Sequence, residues 1–211
     1  GEAQSPNIFA TPGAFQMGTS TWGGDYCLAK FNTNGQRIWG TYFDGNGDDW
    51  ITDLKVDSHG NPVFTGYTLS TNIIASTGCF QPTNNGNQDD FIEKFNPNGN
   101  RIWGTYFGGT GGETGASVTV NNQDDIIISG CTFSSGIATI GAYQTNLLDT
   151  IYGDIFLASL DSNGTFTTGI REINSQTSLI KVYPNPTKDK ITITLQESNI
   201  AKGTIMVVDV M

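Results

Sequence analysis

Residues 25–43 read DYCLAKFNTNGQRIWGTYF, and residues 89–107 read DDFIEKFNPNGNRIWGTYF. Thirteen of the nineteen positions are identical at an offset of 64, so the chain carries an internal repeat. A weaker third copy, DIFLASLDSNGTFTTGI, starts at Asp154. The flanks repeat too: Gly13-Ala14-Phe15-Gln16 matches Gly78-Cys79-Phe80-Gln81 and Gly141-Ala142-Tyr143-Gln144. Downstream, Leu54 and Val56 match Val118 and Val120, and Phe64-Thr65-Gly66-Tyr67-Thr68 matches Ile128-Ser129-Gly130-Cys131-Thr132.

Each unit reads as four strands, which in the best-defined copy are 51–57, 62–68, 90–96 and 101–107. Apolar residues alternate with period two, as strands require. Cys27, Ala29 and Phe31 share one face, as do Phe156, Ala158 and Leu160. The opposite face is also apolar at Leu28, Ile92 and Leu157, which fits sheets stacked on both sides. Asp57-Ser58-His59-Gly60-Asn61 and Asn96-Pro97-Asn98-Gly99-Asn100 have hairpin-turn chemistry: glycine permits positive φ and Asn tolerates it. The expected fold is all-β, a partial β-propeller of about two and a half four-stranded blades. A linear β-array is the alternative. The half blade spans 1–50, full blades span 51–107 and 115–170, and Gly35, Trp39, Tyr42, Phe43, Gly99, Trp103, Tyr106 and Phe107 are the structural positions of the repeat.

Composition agrees: 27 glycines and only 14% charged residues suit short strands and turns better than helices. A net charge of −10 argues against a nucleic-acid partner. No stretch is apolar for long enough to span a bilayer as a helix. Both ends read as internal to a longer protein.

Six groups of residues are candidates for chemistry or binding. Cys27, Cys79 and Cys131 align with apolar residues in other copies and read as small buried hydrophobes, a single bridge being the alternative. His59, the only histidine, sits in a turn and cannot build a His-based metal site or triad. Asp44, Asn46 and Asp48 place oxygen ligands at alternate positions of a glycine-rich loop, a pattern that suits Ca²⁺. The aligned Gly108-Gly109-Thr110-Gly111-Gly112-Glu113 keeps the loop without the carboxylates at positions 44 and 48, so an ordinary acidic turn is expected. Calorimetric titration should accordingly show no Ca²⁺ binding tighter than millimolar. Among the acids at strand ends and turns, Asp25, Asp89 and Asp154 recur once per unit, which marks a structural position; no catalytic residue is assigned. The Trp-Gly-Thr-Tyr-Phe strands read as packing between blades, with carbohydrate stacking as the alternative. The connection at 69–88 offers the best loop for binding, and its 83–87 stretch varies between copies.

The combination of Gly-x-Phe-Gln, Asp-Phe-(x)3-Phe-Asn-Pro-Asn-Gly and Trp-Gly-Thr-Tyr-Phe-Gly-Gly resembles the bacterial SBBP β-propeller repeat family over roughly residues 7–170. That resemblance implies architecture but no general catalytic motif. The third copy departs from it at Phe166-Thr167-Thr168-Gly169-Ile170. After a polar linker at 173–178, residues 179–211 resemble the opening of a type A sorting domain of the type IX secretion system. Tyr183, Pro184, Asn185 and Pro186 form its core motif, ahead of the alternating Lys190-Ile191-Thr192-Ile193-Thr194-Leu195 and an expected third strand over 203–210. The resemblance implies an Ig-like β-sandwich, here truncated, and export across the outer membrane of Bacteroidota. The expected function is a secreted or cell-surface module without cofactor or enzymatic activity. Its partners would be a glycan or protein bound through blade loops, and the secretion machinery. The alternatives are an accessory propeller of a secreted enzyme and a purely structural stalk.

Overall fold

A computed structural model describes residues 2–3, 9–18 and 25–165, together with strands at 180–183 and 192–195. It is all-β, built of antiparallel sheets. The best-defined copy forms β4 (Asp49–Val56), β5 (Pro62–Thr68), β6 (Asp89–Phe95) and β7 (Arg101–Phe107), paired in the order β4-β5-β6-β7. Before it come β1 (Glu2–Ala3), β2 (Asp25–Phe31) and β3 (Arg37–Phe43) as a three-stranded sheet. After it, β8 (Glu113–Val120), β9 (Ile126–Thr132) and β10 (Asp154–Leu160) repeat the first three strands of the middle sheet. The expected fourth strand at 166–170 lies outside the described residues. So do Pro184, Asn185, Pro186 and the strand expected at 203–210.

The middle and third sheets begin two residues earlier than the sequence suggests, at Asp49 and Glu113. These two residues pair with Thr68 and Thr132 and accept hydrogen bonds from their hydroxyls. Each first strand also carries a bulge, between Ile51 and Asp53 in β4 and between Thr114 and Ser117 in β8. At the first bulge, Thr52 Oγ1 donates to the Ala116 carbonyl of the next sheet.

One turn design recurs five times. At 32–36, 57–61, 96–100, 121–125 and 161–165, an Asn or Asp side chain accepts from the backbone N–H two and four residues on. The fourth residue takes positive φ. It is glycine in four copies and Asp124 in the other, where a polar side chain tolerates the left-handed region.

Two cores lie between successive sheets. Leu28, Trp39 and Phe43 of the first sheet meet Phe64, Phe91 and Phe95 of the second. Val63, Ile92 and Phe107 of the second meet Val118, Ile128 and Phe156 of the third. Leu28 and Ile92 are therefore buried, but their counterpart Leu157 is 76% exposed, because no described sheet packs on the far side of β10. Phe31 is exposed on the outer face of the first sheet.

The long connections cover the sheet edges. Ser76 N donates to Gly104 O at 2.9 Å and Tyr106 N to Gln81 O at 3.2 Å, so residues 76–81 cover the β7 edge. Thr11, Gln16, Gly40 and Tyr42 reproduce both bonds on β3. An edge that would otherwise template strand pairing is thereby closed.

The chain divides into compact units at 1–169 and 170–211. In the second, β11 (Ile180–Tyr183) pairs antiparallel with β12 (Thr192–Leu195), with Tyr183 opposite Thr192.

Candidate functional site

The residues marked in the repeat assemble into a clasp at each junction. Trp39 Nε1 donates to Pro97 O at 2.9 Å, and Trp103 Nε1 to Ser162 O at 3.1 Å. Lys30 and Lys94 reach the same two carbonyls. Each indole lies over the turn glycine of the next unit. A β-carbon on Gly99 would come within 2.7 Å of the Trp39 ring, and one on Gly164 within 2.9 Å of the Trp103 ring. Both tryptophans are only 8% exposed, and Tyr42, Phe43, Tyr106 and Phe107 are buried. Their faces are committed to packing, which removes the carbohydrate-stacking alternative: a sugar needs an open ring face.

Beside each clasp lies a shallow depression. The first, ≈ 420 Å³, has Thr11, Gly13, Ile38, Trp39 and Asn98 in its walls. The second, ≈ 340 Å³, has Ser76, Gly78, Ile102, Trp103 and Asn163 at matching positions. Ile38 and Ile102 are exposed at the two sites.

In the loop considered for calcium, Asn46 is held through side chain and backbone, and Asp44 and Asp48 are held through their backbones. Asn46 Oδ1 accepts from Thr71 N, and Asn46 N donates to Asn72 Oδ1. Asp44 is buried, and its N–H donates to Gln16 Oε1 at 3.0 Å. Asp48 is partly exposed, and its carbonyl accepts from Leu69 N. Ser70 and its counterpart Ser134 bind Gly47 N and Gly111 N equivalently, so the loop is fixed by hydroxyls in both copies.

Asp57, His59 and Asp124 cluster closely enough to hold an ion. Their oxygens are already used. Asp57 accepts from His59 N, Asn61 and Lys94, and Asp124 accepts from Ser58 N and Ser58 Oγ across the junction. Burial pushes the Asp57 carboxyl up, but the bonds from Asn61 and Lys94 outweigh it and hold the group down at about 2. This is a polar tie between turns.

The sequence reading missed the buried acids. Glu93 is fully buried and forms a bidentate pair with Arg101, Nε to Oε2 at 2.8 Å and Nη2 to Oε1 at 2.6 Å. Burial raises its pKa, and the Arg101 charge acts against that. Asp89, Asp90 and Glu113 are also fully buried. Asp89 Oδ2 accepts from Gln81 Nε2 and Asn85 N, but Oδ1 has no partner, and neither oxygen of Asp90 has one. Burial, reinforced by Glu113, pushes Asp89 to about 6 despite the bond from Asn85. Burial, then the charges of Glu113 and Asp89, pushes Asp90 to about 8. Recurrence of acid at positions 25, 89 and 154, and of Asp49 at 113, was the available signal; for 25, 89 and 154 it marked a structural position without showing burial.

Cys27, Cys79 and Cys131 are partly exposed, not buried, and no disulfide joins them. Cys131 Sγ donates to Tyr152 O at 3.4 Å. No helix among the described residues is long and apolar enough to cross a membrane.

Among known families, residues 181–211 match the model of the secretion system C-terminal sorting domain. That match covers the tail only, and it ties the chain to export through a secretion apparatus. No curated protein matches the chain.

Proposed function

We propose that the chain is part of a secreted or cell-surface β-propeller module, exported by the type IX secretion system, that binds a glycan or protein through its blade loops and performs no catalysis. The sorting-domain match at 181–211 supports export. The four-stranded sheet, its partial copies on either side and the repeated clasp support stacked four-stranded blades, since each sheet buries both faces only between neighbours.

The observation that carries the binding reading is the recurrence of an equivalent depression at both junctions, each walled by an edge-covering loop and the next turn. Repeated shallow sites suit a repetitive polymer, where weak contacts add through linkage. A purely structural spacer is the second reading, favoured by the use of the 76–81 segment as edge cover.

Glycan-array and surface-protein capture with the immobilised chain test the proposal. Binding that falls at least tenfold in Ile38→Asp/Ile102→Asp, with Tm unchanged, supports it. Absence of any ligand across both screens favours the spacer. Turnover of glycoside or peptide substrates by the purified chain would overturn the non-enzymatic part.

A further inference from the structure

Two glycines beside the second junction face a convergence of oxygens. A β-carbon on Gly86 would lie 3.2 Å from Asp89 Oδ1, 2.9 Å from Gly109 O and in collision with Gly111 O. One on Gly108 would lie 2.6 Å from Asp89 Oδ1 and collide with Glu113 Oε2. Asp89 Oδ1 borders both spaces and is fully buried; Gly86 N lies near the carboxylate but donates to Asn84 Oδ1 at 3.1 Å, which leaves Oδ1 without a donor of good geometry. Asp90 follows it in the chain, equally buried, with both oxygens unpartnered. The basic side chains of β6 and β7 are spent elsewhere, Lys94 on Asp57 at 2.9 Å and Arg101 on Glu93 at 2.6 Å.

A buried carboxylate without a partner is costly, and removing one charge of a buried pair leaves the other stranded. A cation relieves that cost for Asp89 and, through space, Asp90; Glu113 already accepts from Gly109 N at 3.0 Å and from Thr132 Oγ1 at 2.6 Å, and would share its Oε2 with the ion. The donors are two carboxylates and two peptide carbonyls, oxygen throughout. Such a set suits a hard ion with loose geometry, and the absence of imidazole and thiolate disfavours zinc and copper.

We propose that a calcium-class divalent cation binds between the second and third sheets, held by the carboxylates of Asp89 and Glu113 and the carbonyls of Gly109 and Gly111. This departs from the sequence expectation of no calcium binding tighter than millimolar. It also uses different residues from the loop at 44–49, and the decisive acid stands about twenty residues upstream of the carbonyls it joins. The site stands on this geometry alone and does not depend on the proposed ligand-binding role.

The test is calorimetric titration of Ca²⁺ into the chelator-treated 211-residue chain, alongside thermal unfolding. One site of micromolar affinity is expected, with Tm raised by about 5–10 °C at a hundredfold excess of Ca²⁺ over Kd. Glu113→Gln and Asp89→Asn should each abolish the heat and the Tm shift, while Asp44→Asn should leave both unchanged. Amide hydrogen exchange on the unmutated chain localises the ion even where a variant fails to fold: added Ca²⁺ should increase protection at 84–89 and 108–113. No saturable heat below millimolar Ca²⁺ overturns the proposal. Protection confined to 44–49, or binding lost only in Asp44→Asn, also overturns it by placing the ion in the other loop.

Discussion

The two junctions between sheets share one clasp and the depression beside it, and differ in their cores. The first is aromatic: Phe43 meets Phe64 edge-on at 5.1 Å and Phe91 stacked at 5.3 Å, and Phe95 closes the cluster. The second is mostly aliphatic, with Val63, Ile92, Val118 and Ile128 around Phe107 and Phe156. It also carries polar bridges, from Val118 N to Asp53 Oδ2 at 3.1 Å and from Ser58 to Asp124. Close-packed interiors tolerate such exchange when volume and pattern are kept. What recurs is the geometry that sets one sheet against the next: an indole N–H and a lysine on one turn carbonyl, with a glycine beneath the ring.

The largest test removes the shared part. Trp39→Ala and Trp103→Ala should each cost about 3–5 kcal/mol in urea unfolding, by lost packing plus the cavity left behind. Equal losses within about 1 kcal/mol would show that the clasp works independently of the core around it. A cost under about 1 kcal/mol at either site would break the comparison.

Next comes the floor of the clasp. Gly35 and Gly99 both have positive φ, but only Gly99 lies under an indole; nothing lies within 4 Å of a β-carbon at Gly35. Gly35→Ala should cost about 1 kcal/mol for backbone strain alone. Gly99→Ala should cost about 2–3 kcal/mol more, the ring contact being a further overpacking penalty. Equal Tm shifts in the two variants would mean that the Trp39 contact relaxes freely.

A smaller effect separates the units chemically. Glu93 stands where the other copies have Ala29 and Ala158, and Arg37, the counterpart of Arg101, donates to Phe9 O at 2.7 Å. In Glu93→Ala, Arg101 keeps its bonds to Ile73 O and Ile74 O, so a loss of about 2 kcal/mol is expected, below the 3–5 kcal/mol of a fully stranded charge. Chemical denaturation at neutral pH measures it.

The smallest is a pH effect. Asp57 is depressed in the folded chain, so its stabilisation is present above its unfolded value near 3.8 and is lost as pH falls through about 2. Asp57→Asn should remove about 1 kcal/mol of that acid-side slope in thermal melts between pH 4 and pH 2. An unchanged slope would assign the acid sensitivity to other groups.

Much of this architecture was legible because it is written in local code. Strand alternation and Asn-x-x-Gly turns gave β5 and β7 at their observed bounds, and β4 and β6 within two residues. The repeated Gly-x-Phe-Gln marked part of the edge-covering loops as scaffold, but the edge they cover was not legible, since their peptide and hydroxyl bonds reach strands more than twenty residues away. The partner of Trp39 was hidden for another reason: Pro97 O lies 58 residues away in the next unit. Asp124 concealed a turn by replacing glycine at the left-handed position. Recurrence marked Asp89 as structural, but its burial was not legible, because an Asp at a strand end is ordinarily wet and only the neighbouring sheet dries it.

Because each clasp is half in one unit and half in the next, the boundary of inheritance need not coincide with the boundary of a sheet. Copying residues 44–107 in tandem would supply a new indole together with a new turn to receive it. Repeat number is thus free to drift in whole repeats of about 64 residues while every internal joint stays complete. A single-residue insertion in a connection is absorbed as well: the turn that receives Trp103 lies 59 residues on, against 58 for Trp39, and both clasps are closed.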